Sequence, residues 1–104
     1  MLTIRKQEVA GLTLQQAYSI QEQLNSEMAI ASSKLRKVEN RNDEQFRKDY
    51  PLAVGKYFEC QAKMMWYLHH PYSAGDERTL LENKKYLEEL YSMVCDRIEE
   101  LSLA

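Results

Sequence analysis

The longest regular pattern in the chain runs from Leu12 to Val38. Apolar residues fall at Leu14, Ala17, Leu24, Met28, Ala31, Leu35 and Val38, and the later steps alternate between four and three residues. That is one seam of an α-helix, close to the a/d spacing of helix-on-helix packing. No proline or glycine interrupts it. Thr13 followed by Gln16 matches a capping box, in which the two side chains each satisfy a free backbone N–H, so the helix is predicted to start at Leu14. Its far end is expected at Asn40, Asn42 and Asp43, whose side chains compete for backbone hydrogen bonds. Lys34, Arg36, Lys37 and Arg41 lie where cations favour a helix C-terminus. The pattern therefore predicts a first helix at 14–40, roughly 40 Å long at 1.5 Å per residue. Its seam has to be buried against later helices or against another protein.

A second helix is predicted at 43–69, capped by Asn42 or Asp43. It is kinked or broken at Pro51, which lacks an N–H and biases Tyr50 away from helical geometry. The alternative extends the first helix to Asp49 and starts the second at Pro51. The turn near residue 42 is preferred because it yields three helices of similar length, which pack up-down-up without overhang. Phe46, Val54, Tyr57, Phe58, Met64, Met65, Trp66 and Leu68 give the second helix wide apolar coverage, as expected if it contacts both neighbours or is partly buried in an oligomer. Residues 69–75, punctuated by Pro71 and Gly75, read as a loop. A third helix is predicted at 77–101, with Leu80, Leu87, Leu90, Tyr91, Val94, Ile98 and Leu101 as its stripe and an acidic outer surface. Residues 1–11, with only a brief alternation of Leu2 and Ile4 against Thr3 and Arg5, are expected to be a short extended or disordered arm. The expected fold is all-α: an antiparallel bundle of three main helices in a single domain, 1–104.

Composition narrows the picture further. Only 3 Gly and 2 Pro are present, too little turn material for a many-stranded β fold. A net charge of −2 gives no global attraction to nucleic acid or to an anionic membrane. No apolar run approaches the roughly 18 to 20 residues needed to span a bilayer, so no membrane partner is expected. Arg5 and Lys6 have no apolar segment behind them, so no signal peptide is visible. Cys60 and Cys95 do not make a disulfide framework and fit a reducing, cytoplasmic setting.

Chemistry-bearing motifs are sparse. The chain has no Gly-rich phosphate loop, no HExxH, no CxxC and no nucleophile elbow. His69, His70 and Cys60 are the metal-like group, but adjacent histidines on a helix project about 100° apart and a useful site needs three or four convergent ligands. The Glu88-Glu89 and Glu99-Glu100 pairs diverge in the same way and read as solvated surface. Neither a catalytic site, a metal nor a cofactor is therefore expected. Lys34, Lys37, Arg41 and Lys48 share one side if the first helix continues past residue 42, and phosphate contacts need such an array. Glu39, Asp43, Glu44 and Asp49 are interleaved with them, which favours a salt-bridged surface and leaves a nucleic-acid-binding regulator as the alternative.

Two features point to a protein partner. Met64 to Leu68 is an unbroken apolar run that cannot all face one core, and Trp66 and Tyr67 within it are residue types favoured as interface anchors. The outer face of the first helix is rich in Gln and Ser where a solvated face normally carries Lys and Glu, and Tyr18, Ile20 and Ile30 lie off its seam. The expected function is a non-enzymatic protein–protein interaction module (an adaptor, a small chaperone or an inhibitor). It would act through exposed helix faces at Tyr18, Ile20, Ile30, Trp66 and Tyr67, on another protein or on a second copy as a homodimer.

Overall fold

The protein is described here by a computed structural model covering residues 4–103. It is an all-α bundle of three main helices: α1, Leu14–Asp49; α2, Lys56–His69; and α3, Pro71–Leu103. A 3-10 turn, Lys6–Gly11, precedes them, and no strand occurs among the described residues. Contacts divide the chain into two compact units, Met1–Ser32 with Glu82–Ala104, and Ser33–Leu81.

α1 starts where its cap predicts. The Thr13 N–H donates to Gln16 Oε1 at 3.0 Å, and the Gln16 N–H donates to Thr13 Oγ1 at 3.2 Å. Its end differs from the expected turn near residue 42: the helix runs on to Asp49. Asn42 decides this. It is buried, and its Nδ2 donates to the Ser73 carbonyl and to Glu77 Oε2, both at 3.2 Å. An amide tied to α3 in this way no longer competes for its own backbone, so tertiary contact overrides a poor intrinsic propensity. The helix ends at Asp49: the Tyr50 N–H still donates to the Phe46 carbonyl at 2.8 Å, and Pro51, which has no N–H, cannot continue the ladder. Residues 50–55 are then a connection, and α2 begins at Lys56 in place of residue 43. Gly55 leads into it at φ +94°, a conformation that a side chain would strain.

The expected loop over 69–75 shrinks to His70. Pro71 occupies the first position of α3, where its missing N–H would be unpaired in any case, and the Ala74 N–H donates to the His70 carbonyl at 3.0 Å. α3 therefore starts six residues before the predicted 77. Gly75 lies inside it.

The first unit packs Ala17, Leu24 and Ala31 of α1 against Leu87, Leu90 and Val94 of α3, with Ile4 and Val9 in the same core. The seven-residue spacing of the three α1 positions is the seam read from the sequence. The N-terminal arm is not extended here. Residues 6–11 form the 3-10 turn, with Val9 buried. Contacts distant in sequence hold it: Lys6 Nζ lies 2.5 Å from Glu89 Oε2, and Arg97 Nε donates to the Leu12 carbonyl at 3.1 Å. The Lys6 ammonium holds the Glu89 carboxyl below the usual carboxylate range. The part of that expectation concerning residues 1–3 lies outside the described residues.

The second unit is built on Leu35, Phe46 and Trp66, all buried, with Asn42 beside them. A charge network covers one side. Arg47 reaches Asp43 at 3.0 Å and Glu59 at 2.9 Å, and Lys63 Nζ lies 3.3 Å from Asp43 Oδ1. The hydrogen bond from Arg47 is the main cause that holds the Asp43 carboxyl below its ordinary value, with Lys63 adding to it against partial desolvation. A depressed folded-state pKa stabilises the native state above the unfolded value of about 3.9, and that contribution disappears as pH falls through the folded value. Asp43→Asn is therefore expected to lower the thermal midpoint at pH 7, and by progressively less as pH falls below about 3.9. The loss stays below about 1 kcal/mol, because the pair is partly exposed and screened. Melting curves of both proteins across this pH range check this.

Candidate functional site

α2 has two unlike faces. At about 100° per residue, Glu59, Ala62, Lys63, Trp66 and Tyr67 share one side. All five are buried or half-buried. The other side carries Tyr57, Phe58, Gln61, Met64, Met65 and Leu68, all exposed. Trp66 fixes which face turns inward. Only 1% exposed, it donates from Nε1 to Asp49 Oδ2 at 2.7 Å. His70 stacks on its ring at a centroid distance of 4.3 Å. His70 Nδ1 sits 2.8 Å from the Trp66 carbonyl, and a carbonyl only accepts, so Nδ1 carries the proton. His70 Nε2 then faces Asp49 Oδ2 at 3.7 Å.

With Trp66 inward, the apolar residues two positions away on either side, Met64 and Leu68, must point out. Exposure of the large apolar residues on this face runs from 49% at Met65 to 73% at Leu68, and the connecting segment adds Leu52 at 90% and Val54 at 76%. Leu52, Val54, Phe58 and Met65 line an open cleft of about 840 Å³ between the connection and α2. Its wall is mainly apolar side chains, with Asp49 and Gln61 as polar members. In this unit nine large apolar residues are exposed and three apolar residues are buried, so most of its apolar surface has no cover. Scattered exposed apolar residues need no explanation, but a contiguous patch of more than a few hundred Å² marks a contact surface.

A smaller recess of about 200 Å³ lies on the packed side, lined by Glu39, Asn40, Asn42, Asp43, Phe46, Lys63, Trp66, Tyr67 and Glu77. Its acids and aromatic walls would suit a cation, and the chain supplies one: Lys63 Nζ lies 5.7 Å over the Phe46 ring as well as against Asp43. Burial, then the hydrogen bond to Glu77 and the charges of Glu77, Glu39 and Asp43, push the Tyr67 hydroxyl well above its ordinary value. It therefore remains a protonated donor at any physiological pH.

The structure separates the residues that the sequence grouped as contacts. Trp66 is corrected from surface anchor to core: its ring is buried, and its indole N–H reaches Asp49 at the edge of that core. Tyr67 is half-buried beside Glu77, and Ile20 packs on the first core. Tyr18 and Ile30 are about half exposed. They are twelve residues apart, roughly 18 Å along α1 and about 120° around it, so they form no shared patch. The residues that do converge, Leu52, Val54, Phe58, Met64, Met65 and Leu68, were legible only as a helix with too many apolar positions. The unbroken run Met64 to Leu68 was the signal that some had to face outward.

The basic residues fare differently. Since α1 continues to Asp49, Lys34, Lys37, Arg41 and Lys48 fall within about 60° of one another around the helix, and all are exposed. Arg41 pairs with Asp76 at 3.4 Å. Among the described residues no carboxylate lies within 4.0 Å of Lys34, Lys37 or Lys48. His69 is exposed and Cys60 lies on a flank of the outward face of α2, while His70 is held by Trp66. Among the described residues no three His, Cys, Asp or Glu side chains converge as metal ligands, and no helix is long and apolar enough to cross a membrane. Comparison with known protein families, with curated proteins and with solved structures finds no match to this chain.

Proposed function

We propose that this protein is a non-enzymatic protein–protein interaction module that acts by occlusion or bridging, in the manner of an adaptor, a small chaperone or an inhibitor. The observation that carries this reading is the uncovered apolar face of α2, continuous with the cleft lined by Leu52, Val54, Phe58 and Met65. Met and aromatic side chains supply adaptable, high-area contacts once desolvated. A reducing, cytoplasmic setting belongs to the reading, since both cysteines are free thiols and Cys60 is exposed.

A second reading, a nucleic-acid-binding regulator, draws on the lysine stripe of α1. Ser33–Leu81 carries nine Lys and Arg against seven Asp and Glu, a local excess opposite in sign to the whole chain's −2. Phosphate contacts through such a stripe weaken steeply as salt rises.

One capture experiment separates the two. Tagged protein is recovered from native lysate, and the intact mass of the complex is measured. A stoichiometric polypeptide retained by the wild type and lost with Met64→Glu/Leu68→Glu is the expected result. Nucleic acid that is released by salt and by Lys34→Glu/Lys37→Glu would establish the second reading. Recovery of no macromolecule would overturn both.

A further inference from the structure

The outward face of α2 has an unusual make-up. Tyr57, Gln61, Met64 and Leu68 follow one another at steps of four, three and four residues, the spacing of a helix seam that meets another helix. None of them is charged, nor are Phe58 and Met65 on the flank. The polar group near the middle of the stripe is Gln61. Its Nε2 donates to the Tyr57 hydroxyl at 3.1 Å, which leaves its second N–H and its carbonyl oxygen unused.

We propose that a second copy of this chain occupies this face, with the two α2 helices packed against each other about a two-fold axis near Gln61 and Met64. This rests on the reading of the face as a protein-docking surface and names its occupant.

Three observations select a second copy over an unrelated partner. The first is area. Two aromatic side chains of about 150–250 Å² each, with Leu52, Val54, Met64, Met65 and Leu68, present on the order of 800 Å² at the exposures found. A stable dimer takes about 800 Å² from each partner.

The second is charge. A two-fold contact sets a surface against itself, so any charge on it meets its like. The lysine stripe of α1 and the acidic outer surface of α3 would each repel a copy of themselves. The α2 face carries no charge and incurs no such penalty.

The third is Gln61. A carboxamide holds a donor and an acceptor on one group, so two related by a two-fold axis can bond reciprocally. A polar residue at a single seam position also fixes register, at some cost in affinity.

Sedimentation equilibrium of the full chain tests the proposal. The expected species is twice the 12.3 kDa chain mass. Met64→Glu/Leu68→Glu is expected to give the 12.3 kDa monomer. Its far-UV dichroism should match wild type, since both positions are exposed in the single chain, and its urea midpoint, unlike that of wild type, should not rise with protein concentration. Gln61→Glu is expected to weaken the dimer at least tenfold at pH 7, and to recover as acid neutralises the facing carboxylates. Cross-linking keeps the test open should a variant fold poorly: a short bis-maleimide is expected to join wild-type chains through Cys60, and Cys60→Ser to abolish the product while Cys95→Ser retains it.

A wild-type monomer at the highest concentration reached would overturn the second-copy occupant, as would a dimer indifferent to all three substitutions. If that monomer still captures a different protein through Met64 and Leu68, the docking reading stands without this inference. If it instead binds anionic vesicles through the same residues, both fall.

Discussion

Replacing Trp66 by alanine is expected to lower the unfolding free energy by about 3–5 kcal/mol, the largest effect of any single truncation in the second unit. The ring is 1% exposed and is the largest of the fully buried side chains. Its removal leaves a cavity beside Phe46, in a unit with few other buried apolar residues able to close it. It also strips Asp49 Oδ2 of its 2.7 Å donor and His70 of its stacking partner. Asp49 is exposed and water can replace the lost donor, so this bond adds only about 0.5–1.5 kcal/mol. Trp66→Phe separates these contributions. It keeps most of the ring volume and removes the N–H, so its loss should fall near 1–3 kcal/mol. Urea unfolding followed by far-UV dichroism gives both values, since this is the chain's single tryptophan and its fluorescence disappears with it. A change below about 1 kcal/mol in Trp66→Ala would contradict the inward orientation of α2, and with it the outward placement of Met64 and Leu68.

In the first unit the comparable position is Leu90. It is fully buried in the cluster with Ala17, Leu24, Ala31, Leu87 and Val94. Leu90→Ala is expected to cost about 2–5 kcal/mol, and the upper half of that range is favoured here. Two of the α1 residues in this core are already alanine, so α1 and α3 approach closely and have little side chain with which to fill the gap. Total stability of a small domain is about 5–15 kcal/mol, so either substitution removes a large share of it. Glu88→Ala, two residues away and exposed, should stay within about 0.5 kcal/mol. Urea midpoints of the three proteins, read at constant m-value, decide the matter.

The dimer proposed through α2 bears on how these measurements are made. Association that favours the native state raises apparent stability with protein concentration. Comparisons of Trp66 and Leu90 variants therefore belong at one fixed concentration, or in the Met64→Glu/Leu68→Glu background.

Much of this architecture can be read along the chain. The seam at Ala17, Leu24 and Ala31, the cap at Thr13 and Gln16, and the stripe at Leu87, Leu90 and Val94 all follow from spacing and local hydrogen bonding, and each reappears in place. The site is less legible. Periodicity marks α2 as apolar on most of its circumference, and a helix of that kind has no single buried side that spacing can point to. Trp66 and Tyr67 look like anchors by residue type, yet type does not reveal that a carboxylate seventeen residues earlier accepts the indole proton. Tyr18 and Ile30 look exposed and are, but lie too far apart around and along α1 to act together.

What the sequence by itself determined is therefore the identity of the elements. An all-α bundle and the start of α1 depend on interactions within a few residues, which local pattern encodes. Tertiary structure decided the rest. Whether α1 ends at Asn42 depended on Ser73 and Glu77 receiving that amide. Whether the N-terminal arm folds back depended on Arg97 and Glu89. Which side of α2 faces outward depended on Asp49 and His70 holding Trp66. The deciding partners Ser73, Glu77, Arg97, Glu89 and Asp49 all lie far along the chain from the groups they hold, and no local periodicity carries that information.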